Sequence, residues 1–206
     1  MDADGSNVTQ LTFGNEGENS FGQWSPDGTR IVFSSSRDGN RDIYTINVDG
    51  SDEQQLTFDT GHDNFPSWSP NGEEIAFVSD RSGFAQLYIM DSDGSDIRQV
   101  TDNDLGNSQP TWSEVSPQIV FSADDGSARN LFVTDYHGYK VEQVTFGAVY
   151  NSSSPDFSPD SNQVVYETDF DGDVEIYVAD LDGNNPINVS NSSFSSDLDP
   201  GWQPCQ

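Results

Sequence analysis

Short runs of alternating apolar residues return along this chain in one fixed order, separated by turns rich in Pro, Asp and Gly. Ile31-Val32-Phe33 reappears as Ile75-Ala76-Phe77, Ile119-Val120-Phe121 and Val164-Val165-Tyr166. Seven residues ahead of each run stands an aromatic anchor: Trp24, Trp68, Trp112 and Phe157, with Trp202 opening a fifth round at spacings of 44, 44, 45 and 45 residues. A second apolar-aromatic pair follows at Ile43-Tyr44, Leu87-Tyr88, Leu131-Phe132 and Ile176-Tyr177. A glycine then falls at Gly50, Gly94, Gly138 and Gly183, and an aliphatic-hydroxyl pair at Leu56-Thr57, Val100-Thr101, Val144-Thr145 and Val189-Ser190.

A period in the forties is one supersecondary unit copied, and such copies bury their faces on one another. Alternating β-branched and aromatic residues fit a pleated, half-buried strand. Between them, Pro26-Asp27-Gly28, Ser36 to Gly39 and Val48 to Gly50 supply turns, with proline setting φ and glycine accepting positive φ. No window holds a 3.6-residue period, and Gly or Pro interrupts every stretch long enough for a helix. The pattern predicts an all-β chain of four-stranded antiparallel blades, a β-propeller, with repeats at about 13–57, 58–101, 102–145 and 146–190.

Trp24-Ser25-Pro26-Asp27-Gly28 with Ile31-x-Phe33, Ser36-Arg37-x-Gly39, Ile43-Tyr44, Asp49-Gly50 and Leu56-Thr57 resembles the TolB-like β-propeller repeat. The resemblance runs through essentially the whole chain. Blade three departs most, with Glu114-Val115-Ser116 for Pro-Asp-Gly and His137-Gly138 for Asp-Gly. It implies a propeller domain and a periplasmic or secreted setting. Its matching residues are core and turn formers, so they carry the fold and not an activity.

The ends predict a shared closing blade. Residues 1–12 finish on Leu11-Thr12, the last part of a unit, and residues 191–206 hold Pro200-Gly201-Trp202-Gln203-Pro204, the first strand of one. Roughly 17 residues of that blade's middle are absent at this period. The expectation is a single domain over 1–206, five blades with the last incomplete, since closure protects sheet edges. A fragment of a larger ring, or closure by a second chain, is the alternative. Met1 aligns with Met90 inside a strand, which points to a start internal to a longer parent.

Charge narrows the partners. Thirty-six Asp and Glu face seven Lys and Arg, a formal net charge of −29. Such a surface repels nucleic acid and anionic lipid. It reads either as a solvated coat suited to salt or as a supply of cation ligands. The one cysteine, Cys205, has no partner for an internal disulfide, no apolar run is long enough to span a membrane, and sequons at Asn7, Asn151, Asn188 and Asn191 read as chance in a chain rich in Ser and Asn.

For chemistry, His62 and His137 stand at unrelated places in their repeats, with no second His or Cys at metal-ligand spacing. No Gly-x-Ser-x-Gly elbow occurs, and paired carboxylates are too many to single out a glycosidase pair. Position five before each anchor is polar throughout: Asn19, Asp63, Asn107, Ser152 and Asp197. Radial repetition predicts a ring of these at one channel mouth, where oxygens suit calcium, a partner peptide segment or a small polar ligand. Asp63, Asp197, Asn19 and Asn107 are the candidate metal ligands; the competing reading is turn chemistry alone. Acidic hairpins at Asp91 to Asp96 and Asp169 to Glu175 lack the full EF-hand spacing and coincide with turns the fold needs. Arg37 and Arg81, matched in blades one and two, read as ion-pair partners between hairpins or blades.

The expected function is a non-enzymatic, monomeric binding propeller that takes a protein segment or small polar ligand at its channel mouth. A polysaccharide lyase or hydrolase at the same mouth is the competing class, with few basic residues to hold an acidic sugar. A structural blade array from a larger protein is the third.

Overall fold

Each repeat becomes one antiparallel sheet whose strands lie in chain order. The computed structural model describes residues 4–13, 17–147, 150–191 and 196–202. Blade one is β1 (Asn19–Trp24), β2 (Arg30–Ser35), β3 (Asp42–Asn47) and β4 (Gln54–Gln55); blade two is β5 (Asp63–Trp68), β6 (Glu74–Ser79), β7 (Gln86–Asp91) and β8 (Arg98–Gln99). Blade three is β9 (Gly106–Trp112), β10 (Gln118–Asp124), β11 (Arg129–Asp135) and β12 (Val141–Gln143); blade four is β13 (Ser152–Phe157), β14 (Gln163–Thr168), β15 (Glu175–Asp180) and β16 (Ile187–Asn188). The described residues contain no helix, hence none long and apolar enough to cross a membrane. Met1, Gln203, Pro204 and Cys205 lie outside the described residues.

The core sits between blades. Val32, Ile43 and Leu56 of blade one pack with Trp68, Ile75, Phe77, Tyr88 and Met90 of blade two. Blades two and three meet in the same way through Val100, Leu87 and Trp112, and blades three and four through Val144, Leu131 and Phe157. Each anchor therefore packs against the blade before it. Trp68, Trp112 and Phe157 are 8%, 4% and 5% exposed, whereas Trp24, on the leading face of blade one, is 60% exposed.

Two repeat features gain a physical reason. The outermost strands are only two or three residues long, and the next residues extend them with a side chain: Thr57, Thr101, Thr145 and Ser190 accept the N–H of Ile43, Leu87, Leu131 and Ile176 at 2.9 to 3.0 Å. A hydroxyl is required there because that buried N–H would otherwise be unpaired. The outer-hairpin glycines also face the preceding blade. A Cβ on Gly138 would lie 1.9 Å from the Val100 carbonyl oxygen, and one on Gly183 2.0 Å from that of Val144, both at positive φ.

The described terminal segments follow the same grammar. Leu11 packs on blade one, its carbonyl oxygen facing Gly50 as that of Leu56 faces Gly94. Asp197 N–H donates to the Val174 carbonyl, as Asp63 does to Arg41 and Asn107 to Ala85. Trp202 N–H donates to Asp156 Oδ2 at 2.9 Å, as Trp68 N–H donates to Gln23 Oε1 at 2.6 Å.

Candidate functional site

The five positions expected to form a ring do not bond one another. Asp63 is fully buried and its Oδ2 accepts from Arg81 at 2.8 Å. Asn107 donates to Thr101 Oγ1 at 2.7 Å and to Gln86 Oε1, across the junction with blade two. Ser152 bonds Thr168 at 3.5 Å, Asn19 accepts from Arg37, and Asp197 is held by its backbone. Of these side chains Asn107 bonds across a junction, whereas Asn19, Asp63 and Ser152 bond within their own blades, and Asp63 Oδ1 and Asn107 Oδ1 are buried without a hydrogen-bond partner among the described residues. Among the described residues no three His, Cys, Asp or Glu come together in a metal-binding group.

A different register does bring inner strands into contact. Three residues before each anchor, Phe21, Phe65, Gln109 and Ser154 all have φ between 50° and 56°, and Asp199 follows at 54°. The first four sit at the register shift between inner strand and neighbour. Phe21 meets Phe65 with ring centroids 4.2 Å apart, and Gln109 bonds Ser154 through both its amide groups at 3.1 Å. Non-glycine residues held left-handed cost of order 1–3 kcal/mol each and persist only where the surroundings enforce them.

At the other end of the inner strands lies a cavity of about 560 Å³. Its wall is formed by the anchors Trp24, Trp68, Trp112, Phe157 and Trp202, with Gln23, Ser67, Thr111 and Asp156 one residue before them. The indole N–H of Trp112 donates to the Ser67 carbonyl, but those of Trp68 and Trp202 and the hydroxyl of Ser67 are buried without a partner among the described residues. Burial pushes the Asp156 carboxyl above the ordinary range, against the lowering effect of the Trp202 N–H. The cavity thus offers a carboxyl and broad aromatic faces, which can take a polar group and stack flat ones.

The remaining candidates resolve into turns and pairs. Asp93 accepts from both N–H and hydroxyl of Ser95, which holds its carboxyl below the usual range. Asp171 accepts from the Tyr177 hydroxyl. Arg37 and Arg81 pair with Glu53 and Asp63 inside their own blades. His62 and His137 are exposed; His62 Nδ1 accepts from the Arg41 N–H. The sequence marks the tryptophans as core and does not single out the residues one and three before them. Strand alternation sets those positions inward, but their identities vary from blade to blade.

Four antiparallel blades around an anchor-lined cavity define a β-propeller repeat domain. The model of the TolB beta propeller domain matches residues 6–206, and the chain belongs to that family. An uncharacterised protein of Agrobacterium fabrum (strain C58) is 46% identical over 57 residues, which are 28% of this chain and 19% of that protein. TolB from Acinetobacter baumannii superposes with a TM-score of 0.76 at 19% identity, covering 94% of this chain and 48% of its own. A puromycin hydrolase superposes at 0.67 with 16% identity, over 92% of this chain and 31% of its own. The chain thus spans about half of that TolB and a fifth of the Agrobacterium protein. These structural likenesses show the fold.

Proposed function

We propose that the chain is a non-catalytic binding propeller whose central cavity receives an extended segment of a partner protein. The observation that carries this reading is the cavity wall itself, built from the aromatic faces of the five anchors with the Asp156 carboxyl beside them. Aromatic faces stack flat groups such as peptide planes and apolar side chains, and a carboxyl can accept a backbone N–H of an inserted segment. In this reading residues 196–202 and the segment ending at Leu11-Thr12 occupy a fifth position of the ring, and the setting is periplasmic or secreted, which family membership supports.

The test is selection of linear peptides against the whole chain, followed by titration on a Ser67→Trp variant that fills the cavity. Binding should fall at least ~10-fold in the variant, a loss of about 1.4 kcal/mol, with the peptide recovered uncleaved. Equal affinity for both proteins would remove the cavity from consideration, and cleavage would reinstate a hydrolase.

A further inference from the structure

Blades one and two each seat an arginine on an aromatic pair, and blade four keeps the seat without the arginine. In blade two the Arg81 guanidinium lies 5.4 Å from the Phe77 ring centroid and 5.1 Å from that of Tyr88. Its Nε donates to Ser79 Oγ and an NH2 to Asp63, both at 2.8 Å. Blade one repeats this: Arg37 lies 5.5 and 4.7 Å from Phe33 and Tyr44, with Ser35 and Asn19 accepting at 2.9 Å.

Counting from the anchor, the corresponding residues of blade four are Tyr166 and Tyr177 for the aromatic pair, Thr168 for Ser79, Ser152 for Asp63, and Phe170 for Arg81. All five line one cavity of about 320 Å³, joined by Phe146 and Tyr150. That volume lies at the lower end of the ~300–1,000 Å³ typical of small-ligand pockets. Phe170 does not fill the seat. It is 56% exposed and stands edge-on to Tyr150 at 5.0 Å and to Tyr177 at 6.3 Å, so it adds a wall. The hydroxyls of Ser152 and Thr168, which match the two acceptors of the blade-two guanidinium, bond each other at the long distance of 3.5 Å.

We propose that this pocket binds the guanidinium of an arginine side chain presented by a partner polypeptide. Two copies of the same architecture in the same chain already hold that group, on matching rings and matching acceptors. Cations stack on aromatic faces, and Arg does so more often than Lys. Blade four lacks the buried carboxylate of blade two; the balancing charge comes from Asp171 on the Tyr177 hydroxyl and from a surface of net −29. That field draws a basic segment toward the protein. The site is separate from the central cavity and stands or falls without it.

The experiment is an NMR titration of the whole chain with acetyl-Gly-Arg-Gly-amide, followed on the ring resonances of Tyr150, Tyr166, Phe170 and Tyr177. Citrulline and lysine versions of the peptide serve as comparisons. The arginine peptide should shift those rings and bind roughly tenfold tighter than the uncharged citrulline peptide, about 1.4 kcal/mol, within the range of a cation–π contact. Phe170→Arg, which rebuilds the blade-two arrangement, should abolish binding while leaving the melting temperature equal or higher. A citrulline peptide that binds as well as arginine, binding that survives in folded Phe170→Arg, or no shift up to the solubility limit of the peptide overturns the proposal.

Discussion

Asp42 is the residue whose chemistry most conflicts with its surroundings. It is 2% exposed, its oxygens take hydrogen bonds from Thr57 and Gln55, and burial with the neighbouring Asp63 pushes its carboxyl up to about 6. In the unfolded chain an aspartate titrates at ~3.9. The folded state therefore holds the proton more tightly, and the stability this contributes is complete below that value and lost as pH rises through 6. Blades two and three carry the neutral amides Gln86 and Asn130 at the same position, bonded to Thr101 and Thr145. Asp42→Asn should match the wild type at pH 4 and exceed it at pH 8 by about 1–3 kcal/mol, because a tenfold change in proton affinity between the folded and unfolded chain is worth about 1.4 kcal/mol. Melting curves at the two pH values decide it; an Asn variant that is weaker at pH 8 means that the ionised form is the one the junction stabilises. Residue types at this scale were legible as polar, but their partners were not. Asn19, Asp63, Asn107 and Ser152 align from repeat to repeat, and alignment along the chain does not reveal which bonds within its own blade, as Asp63 does with Arg81, and which bonds across a junction, as Asn107 does with Thr101.

The elements owe their packing to the hairpin glycines, which read in the sequence as turn formers and do more in the fold. Gly126 and Gly138 both have positive φ, at 85° and 74°. Around Gly126 a Cβ meets nothing within 4 Å, whereas at Gly138 it collides with the Val100 carbonyl. The pair separates two costs. Gly126→Ala should lose about 1–2 kcal/mol, the penalty of a left-handed Cβ. Gly138→Ala adds the overpacking of a blade junction, a further ~1–3 kcal/mol. Denaturant midpoints of the two variants measure the difference; equal losses mean that the blades give way without resistance. The strands, their order and the inter-blade anchors followed from a period of 44–45 residues and period-2 alternation. The left-handed turn within each inner strand did not, because Phe21, Phe65, Gln109 and Ser154 share no chemistry that favours positive φ. Nor did the blade-four pocket, since a phenylalanine at position 170 reads as one more loop residue.

Among the described residues the same kind of junction repeats from blade to blade, and the leading face of blade one is left open. Trp68 and Trp112 each fill a junction, while Trp24 repeats the same motif on a face covered by no preceding blade among the described residues. Trp68→Ala and Trp112→Ala should each cost about 3–5 kcal/mol, as large aromatic truncations in packed cores do. Trp24→Ala should cost under ~1 kcal/mol, in line with an exposed side chain; a loss at Trp24 equal to that at Trp68 means that another chain or segment covers the face in solution. The charge acts on every junction at once. With −29 spread over the surface, like charges repel across short distances, and salt screens them with a Debye length of about 30 Å at 0.01 M but 3 Å at 1 M. The melting temperature should therefore climb from dilute buffer to molar sodium chloride. Calcium offers the sharper comparison at matched ionic strength. A cation bound only by the folded state adds stability by mass action beyond screening, but Asp63 already pairs with Arg81 and Asn107 with Thr101. Calcium should then add no increment over sodium chloride, in the wild type and in Asp63→Ala alike. An increment present in the wild type and absent from the variant would restore the inner-strand ring as a cation site, with Arg81 displaced to make room for it.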